Sequence, residues 1–126
     1  MVTYTEISTM AQKGSAGFRV TTIRVEGEDG DTYGTGIALG AQLRNFWGYK
    51  TVAGRTLLRV IPDTLVFDFN SEQELPQCAL ARVDHSDVTN PILNLYDITA
   101  TSSPDECSEI GNVDIADLDM DIVVYT

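Results

Sequence analysis

The last ten residues, DLDMDIVVYT (117–126), alternate between acidic and apolar side chains, and this restricts the chain to an extended conformation there. In a β-strand, successive side chains point to opposite faces, so residues two apart share a face. The pattern predicts that Leu118, Met120, Ile122 and Val124 face a core. Burying one such side chain contributes about 1.5–3 kcal/mol, whereas two carboxylates about 7 Å apart repel by about 0.6 kcal/mol in water. We therefore predict a strand with an acidic outer face.

Short runs rich in β-branched residues recur along the chain, each bounded by a turn signal or a polar loop. The runs are GFRVTTIRVEG, LLRVI, TLVFDF, CALARVD and PILNLYDIT. Asp29-Gly30 has the composition of a hairpin turn that returns the chain through DTYGTGI, and Pro62-Asp63 indicates a second turn. About seven or eight short strands in this arrangement predict an all-β, single-domain β-sandwich that is jelly-roll-like or related.

Two segments depart from the β pattern. GIALGAQLRNFWGY (36–49) has apolar residues at near-helical spacing, which predicts a short helix near residues 40–47 with its aromatic pair in the core. Residues 1–16 have weak periodicity and many small polar side chains. They predict either an ordered edge strand or an N-terminal arm that orders only against a neighbour. The sandwich domain is expected over 17–126.

The formal net charge of −11 is distributed unevenly. Residues 1–60 carry seven basic and five acidic side chains, whereas residues 61–126 carry fourteen acidic side chains and one base, Arg82. Binding to phosphates needs clustered lysine and arginine, so we expect no nucleic-acid partner. No apolar run approaches the ~20 residues of a membrane helix, so no membrane association is expected.

No motif in the sequence specifies a reaction. His85 is the only histidine, and a lone histidine in an acidic loop is expected to be solvated rather than catalytic. GTGIALG (34–40) lacks the glycine spacing of a dinucleotide loop and the GK[ST] ending of a P-loop. Cys78 and Cys107 are expected to remain separate thiols. We predict a protein that is not an enzyme and has no cofactor.

The closing aspartates also match the start of an EF-hand calcium loop, but Ile122 stands where that loop needs glycine. Carboxylates about 7 Å apart on a flat strand lie too far apart to chelate one ion without further ligands. We therefore predict no metal site and interpret the strand as a surface that faces a partner. The candidate residues of this surface are Asp117, Asp119, Asp121, Val123 and Tyr125, with the basic residues Arg44, Lys50 and Arg55 of the first half.

The order of these features resembles the small structural proteins of tailed bacteriophages, including capsid decoration or cement-type proteins. The resemblance is carried by GFRVTTIRVEGEDGDTYGTGIAL, GAQLRNFWGY, LVFDFNSE, ILNLYDI and IADLDMDIVVYT, which span most of residues 17–126. It implies a homo-oligomer, commonly a trimer, that is made in the host cytoplasm and stabilises the outer capsid surface of the virion. Its partners would be the major capsid protein and copies of itself. The density of aspartate in the last strand departs from the family pattern.

Two alternatives from other functional classes stay open. The first is an acidic inhibitor that mimics DNA and binds the nucleic-acid site of a host protein, which the fourteen acids of residues 61–126 motivate. The second is a β-module that binds calcium or another ligand.

Overall fold

The computed structural model describes residues 1–11, 19–43, 59–69, 78–87, 90–98 and 108–126. Within these ranges the chain forms nine strands and one short helix. In chain order the elements are β1 (Thr3–Ala11), β2 (Arg19–Glu26), β3 (Ile37–Ala38), α1 (Gly40–Leu43), β4 (Arg59–Pro62), β5 (Leu65–Phe67), β6 (Cys78–Asp84), β7 (Ile92–Asp97), β8 (Ser108–Glu109) and β9 (Asp119–Tyr125).

The strands form two antiparallel sheets. The first has the order β1-β2-β9-β4, and the second has the order β3-β7-β6-β5, with β8 also pairing with β7. β3 and β8 pair with opposite ends of β7, along the edge that β6 does not occupy. The predicted all-β sandwich is therefore confirmed.

One hydrophobic core fills the space between the inner faces of the sheets. In β9, which lies between β2 and β4, Met120, Ile122 and Val124 are at most 3% exposed, whereas the residues between them are half-buried. The predicted alternation is thus confirmed. The strand begins at Asp119, however, so Leu118 is buried from the turn that precedes β9.

The predicted helix near 40–47 is present as α1 over Gly40–Leu43, and its remaining predicted residues lie outside the described ranges. Leu39 and Leu43 are fully buried, and the Leu43 amide donates to the Leu39 carbonyl at 2.9 Å. The Gly40 amide donates to Asn90 Oδ1 at 3.1 Å, which satisfies one free donor of the first turn.

The amino-terminal residues form an edge strand rather than an arm. β1 pairs with β2 over residues 3–11, with an irregularity between Glu6 and Ser8. Residues 12–16 of the predicted arm lie outside the described ranges. Of the two alternatives predicted for residues 1–16, residues 3–11 therefore form the ordered edge strand.

The turn at Asp29-Gly30 is present, but the predicted hairpin is wrong. Gly30 has a φ of 90°, which glycine adopts readily. Both edges of β2 are already occupied, by β1 and β9. The return segment therefore leaves the first sheet: Thr32 forms an isolated bridge with Asp114, and β3 then pairs with β7 in the second sheet.

The hydroxyl of Tyr33 fills the gap between β3 and β8 along the edge of β7. It accepts a hydrogen bond from the Leu95 amide at 3.0 Å and donates to Glu109 Oε1 at 2.6 Å. Asn94 Nδ2 lies 3.4 Å from the same hydroxyl and 2.9 Å from Glu109 Oε1. Burial, and then the bond to Glu109, raise the pKa of Tyr33 to about 12. The Tyr33 side chain therefore gives the Leu95 amide the hydrogen-bond acceptor that a continuous neighbouring strand would provide.

Candidate functional site

The outer face of the first sheet carries the residues that the sequence identified as a surface for a partner. Because β1, β2, β9 and β4 are in register, their outward side chains form cross-strand rows. Two rows are polar: Thr3–Glu26–Asp119 and Thr5–Arg24–Asp121. Two rows are richer in apolar side chains: Ser8–Thr22–Val123–Ile61 and Met10–Val20–Tyr125–Arg59.

Arg24 stands between the two aspartates of the polar end. Its Nε lies 3.5 Å from Asp121 Oδ1 and 3.7 Å from Asp119 Oδ1. These side chains are 39–68% exposed, so solvent screens the ion pairs and they contribute little to stability. Their effect is on the surface, because a base from the same chain partly neutralises the acidic row.

Asp63 anchors β9 from the corner after β4. Its Oδ2 accepts the Asp121 amide at 2.9 Å, and its own amide donates to the Asp121 carbonyl at 2.9 Å. This reciprocal pair fixes the backbone of β9 next to Arg24.

Asp117 does not continue the row of aspartates, which corrects the prediction of three aligned carboxylates. It lies in the turn before β9, where the Leu118 amide donates to the Ile115 carbonyl at 3.0 Å. Period-two alternation is a property of an extended strand, and the turn interrupts it. Of the three aspartates, only Asp119 and Asp121 lie on the outer face of β9.

The opposite end of this face is apolar, and we call it the apolar strip. Its members are Met10, Val20, Tyr125, Val123 and Ile61. Met10 and Ile61 are exposed, and the other three are half-buried. The strip crosses four strands, a width of about 14 Å at the usual strand spacing. Sequence reasoning identified Val123 and Tyr125, but only the strand register reveals the other three.

The basic members of the predicted surface, Arg44, Lys50 and Arg55, lie outside the described ranges. A different base, Arg59, pairs with Tyr125 in the register of β4 and β9. It places a positive charge at one corner of the apolar strip.

His85 is not solvated, contrary to the prediction. It is half-buried, and its Nε2 accepts the Val60 amide of β4 at 2.9 Å. That amide points away from β9, on the edge of β4 that pairs with no other described strand. The next position of β4 with this orientation is Pro62, which has no amide proton. His85 and Pro62 together remove the donors that another strand would need at this edge.

A groove of about 470 Å³ lies between β4 and β6 beside His85, and Arg59, Arg82 and Asp84 help to line it. The Asp84 carboxylate accepts hydrogen bonds from the amide and the hydroxyl of Ser86, which lower the pKa of that carboxyl. Because His85 Nε2 already accepts a backbone proton and Asp84 is bound to Ser86, these residues do not form the relay of a hydrolytic triad.

Among the residues that the structure describes, no group of three His, Cys, Asp or Glu side chains is arranged to hold a metal ion. Cys78 is a half-buried free thiol, and Cys107 lies outside the described ranges. No helix in the described part of the chain has the length and apolar character to cross a bilayer. Comparison with protein-family models, with curated proteins and with solved structures finds no match.

Proposed function

We propose that this protein is a non-enzymatic virion structural protein that binds an assembled capsid lattice and stabilises it, as a decoration or cement protein does. The observation that carries the proposal is the apolar strip on the outer face of the first sheet. Contiguous apolar groups on a protein surface mark contacts with other proteins. The resemblance of the sequence to small structural proteins of tailed bacteriophages supplies the class of partner.

The two ends of this face have different roles in such a contact. The apolar strip supplies burial, with Tyr125 and Met10 as side chains of the types enriched in the centres of interfaces. The polar end around Arg24 presents charges of both signs, which orient a docking partner more than they add affinity. On a shell, many identical contacts act together, so each one needs only modest affinity.

The same face gives less support to an acidic mimic of DNA. Such a mimic needs negative charges at regular intervals along one continuous surface. Here Arg24 lies between the two carboxylates of β9, and Asp117 is out of line with them. A mixed surface with an apolar half fits a protein partner better.

The proposal is tested first by looking for a major capsid protein encoded near this gene, and then by co-sedimentation of the chain with shells assembled from that protein. We expect the wild-type protein to sediment with intact shells and not with unassembled capsid protein. Ile61→Glu places a carboxylate in the apolar strip and should weaken retention at least about tenfold, because the charge must be desolvated. Thr3→Glu adds the same charge to the polar end of the face and should stay within about twofold of wild type.

Failure of the wild-type protein to bind shells would refute the capsid function. Equal retention of the Ile61→Glu and wild-type proteins would show that the apolar strip is not the contact. Circular dichroism of both variants controls for folding, and both positions are exposed.

A further inference from the structure

The turn that follows β2 contains Asp29-Gly30, the one place in the sequence where glycine follows an aspartate. The Asp31 amide donates to the Glu28 carbonyl at 3.0 Å, so Asp29 and Gly30 are the two central residues of a β-turn. Both residues are exposed, and no atom beyond the chain neighbours lies within 4 Å of the position that a Cβ on Gly30 would occupy. The peptide group that joins Asp29 to Gly30 is therefore open to solvent.

This peptide group is able to rotate within the turn. Gly30 has a φ of 90°, close to the value of the third residue in a type II turn. Type I and type II turns differ by a rotation of their central peptide group through about 150–170°, and glycine adopts both conformations because it has no Cβ. The Gly30 amide makes no hydrogen bond to the described residues, so this rotation breaks none.

The chain is held in place on both sides of the two central residues. Before them, the Gly27 amide donates to the Leu118 carbonyl at 2.8 Å. After them, the Ile115 amide donates to the Asp31 carbonyl at 3.1 Å. The central peptide group is thus the part of this segment that is least restrained by the rest of the fold.

Asp31 lies two residues further along and differs from Asp29 in three respects. Its carboxylate is engaged, because Oδ2 accepts the Glu28 amide at 2.8 Å. The residue that follows it is Thr32, whose branched side chain shields the peptide nitrogen. Thr32 also forms the bridge with Asp114, which restrains the peptide group between Asp31 and Thr32.

We propose that Asp29 is a site of spontaneous isomerisation to isoaspartate in the folded chain, and that Asp31 is not. The Gly30 nitrogen attacks Cγ of the protonated Asp29 carboxyl, a C–N bond forms, and the carboxyl oxygen leaves as water. The product is a five-membered cyclic imide. Water then breaks the bond between the nitrogen and the main-chain carbonyl carbon of Asp29, which leaves the main chain running through Cγ and a free carboxylate on Cα.

This reaction needs no cofactor, because one water molecule leaves and one is added. The product contains one additional methylene in the main chain between the anchors at Gly27 and Asp31. The inference goes beyond the proposed function, because it concerns the chemistry of a turn and does not use the apolar strip.

Incubation of the full chain in heavy-oxygen water at mildly acidic pH tests the proposal. The tryptic peptide 25–44 contains both Asp29 and Asp31, and electron-transfer fragmentation distinguishes aspartate from isoaspartate at each position. We expect isoaspartate and heavy oxygen at position 29 and neither at position 31. The rate in the folded chain should lie within about tenfold of the rate in the urea-unfolded chain, because rearranging an exposed turn costs little free energy.

Asp29→Glu is the matched control, because it keeps the charge but its imide would need a six-membered ring. The labelled product should be lost in this variant. Circular dichroism before and after incubation confirms that the wild-type chain stays folded. Isoaspartate at position 29 in the unfolded chain alone, or equal labelling of positions 29 and 31 in the folded chain, would overturn the proposal. Neither result depends on retention by capsid shells, so failure here is distinguishable from failure of the capsid function.

Discussion

Replacing Tyr33 by phenylalanine tests how the second sheet is completed. The ring stays buried, and only the hydroxyl that bridges β7 and β8 is removed. The Leu95 amide, which donates to that hydroxyl at 3.0 Å, is then left without a partner in a buried position. An unsatisfied buried donor costs about 1–3 kcal/mol.

The second lost bond is the one from the hydroxyl to Glu109. A hydrogen bond to a charged group contributes about 1.5–3 kcal/mol, but Glu109 is exposed and keeps its bond from Asn94 Nδ2 at 2.9 Å. We therefore include only part of the free energy of this hydrogen bond in the expected loss of stability. Together the two losses predict a decrease of about 2–4 kcal/mol in the free energy of unfolding.

Urea denaturation followed by circular dichroism measures this change. For a domain of this size, we expect the midpoint to fall by about 1–2 M with an unchanged slope. Tyr4→Phe is the control: burial raises the pKa of Tyr4 to about 12, and its hydroxyl has no hydrogen bond to the described residues. That variant should stay within about 0.5 kcal/mol of wild type.

Hydrogen exchange at the Leu95 amide tests whether the loss of its hydrogen bond to the Tyr33 hydroxyl causes the decrease in stability. In Tyr33→Phe this amide should lose more protection than its neighbours in β7, because its acceptor is gone. A loss of stability below about 1 kcal/mol, with Leu95 still protected, would refute the role assigned to the hydroxyl.

Three further predictions use other features of the fold. The pKa of the Tyr33 hydroxyl is about 12 in the folded chain and about 10 in the unfolded chain, so its contribution to stability is intact below pH 10 and should be lost toward pH 12. The melting temperatures of the wild-type and Tyr33→Phe proteins should therefore converge between pH 10 and pH 12. Gly27→Ala should destabilise by about 3 kcal/mol or more in urea melts, because its Cβ would collide with the Ile115 carbonyl oxygen, whereas Gly111→Ala, at an open position, should be nearly neutral. His85→Ala should cost about 1 kcal/mol and increase light scattering at high concentration, because it uncovers an amide on the edge of β4; unchanged scattering would contradict the edge role.

The local sequence pattern was sufficient to predict strands and core residues where one face of a strand is buried. Alternation in the last strand identified Met120, Ile122 and Val124 as core residues. The runs CALARVD and PILNLYDIT were predicted as strands, and β6 has the bounds of the first run. In both cases the alternation and the β-branched or apolar composition are properties of the local chain, and burial in the fold agrees with them.

Local pattern failed where distant strands compete for the same partner. Asp29-Gly30 has the composition of a hairpin, but β9 occupies the edge of β2 that the hairpin would have used. His85 has the surroundings of a solvated loop residue, yet the β4 edge brings an amide to its ring. Neither contact has a signal within a few residues of the position concerned.

The sequence by itself determined that this chain is a β-sandwich with apolar groups inward and an acidic, partly apolar last strand, because alternation and burial act over neighbouring residues. Only the tertiary structure decided which outward side chains lie together. Cross-strand register joined Met10, Val20 and Ile61 to Val123 and Tyr125, and it aligned Phe67 and Cys78 beside Leu65 and Leu80. Register is set by long-range pairing of strands, and a single strand's sequence does not contain it.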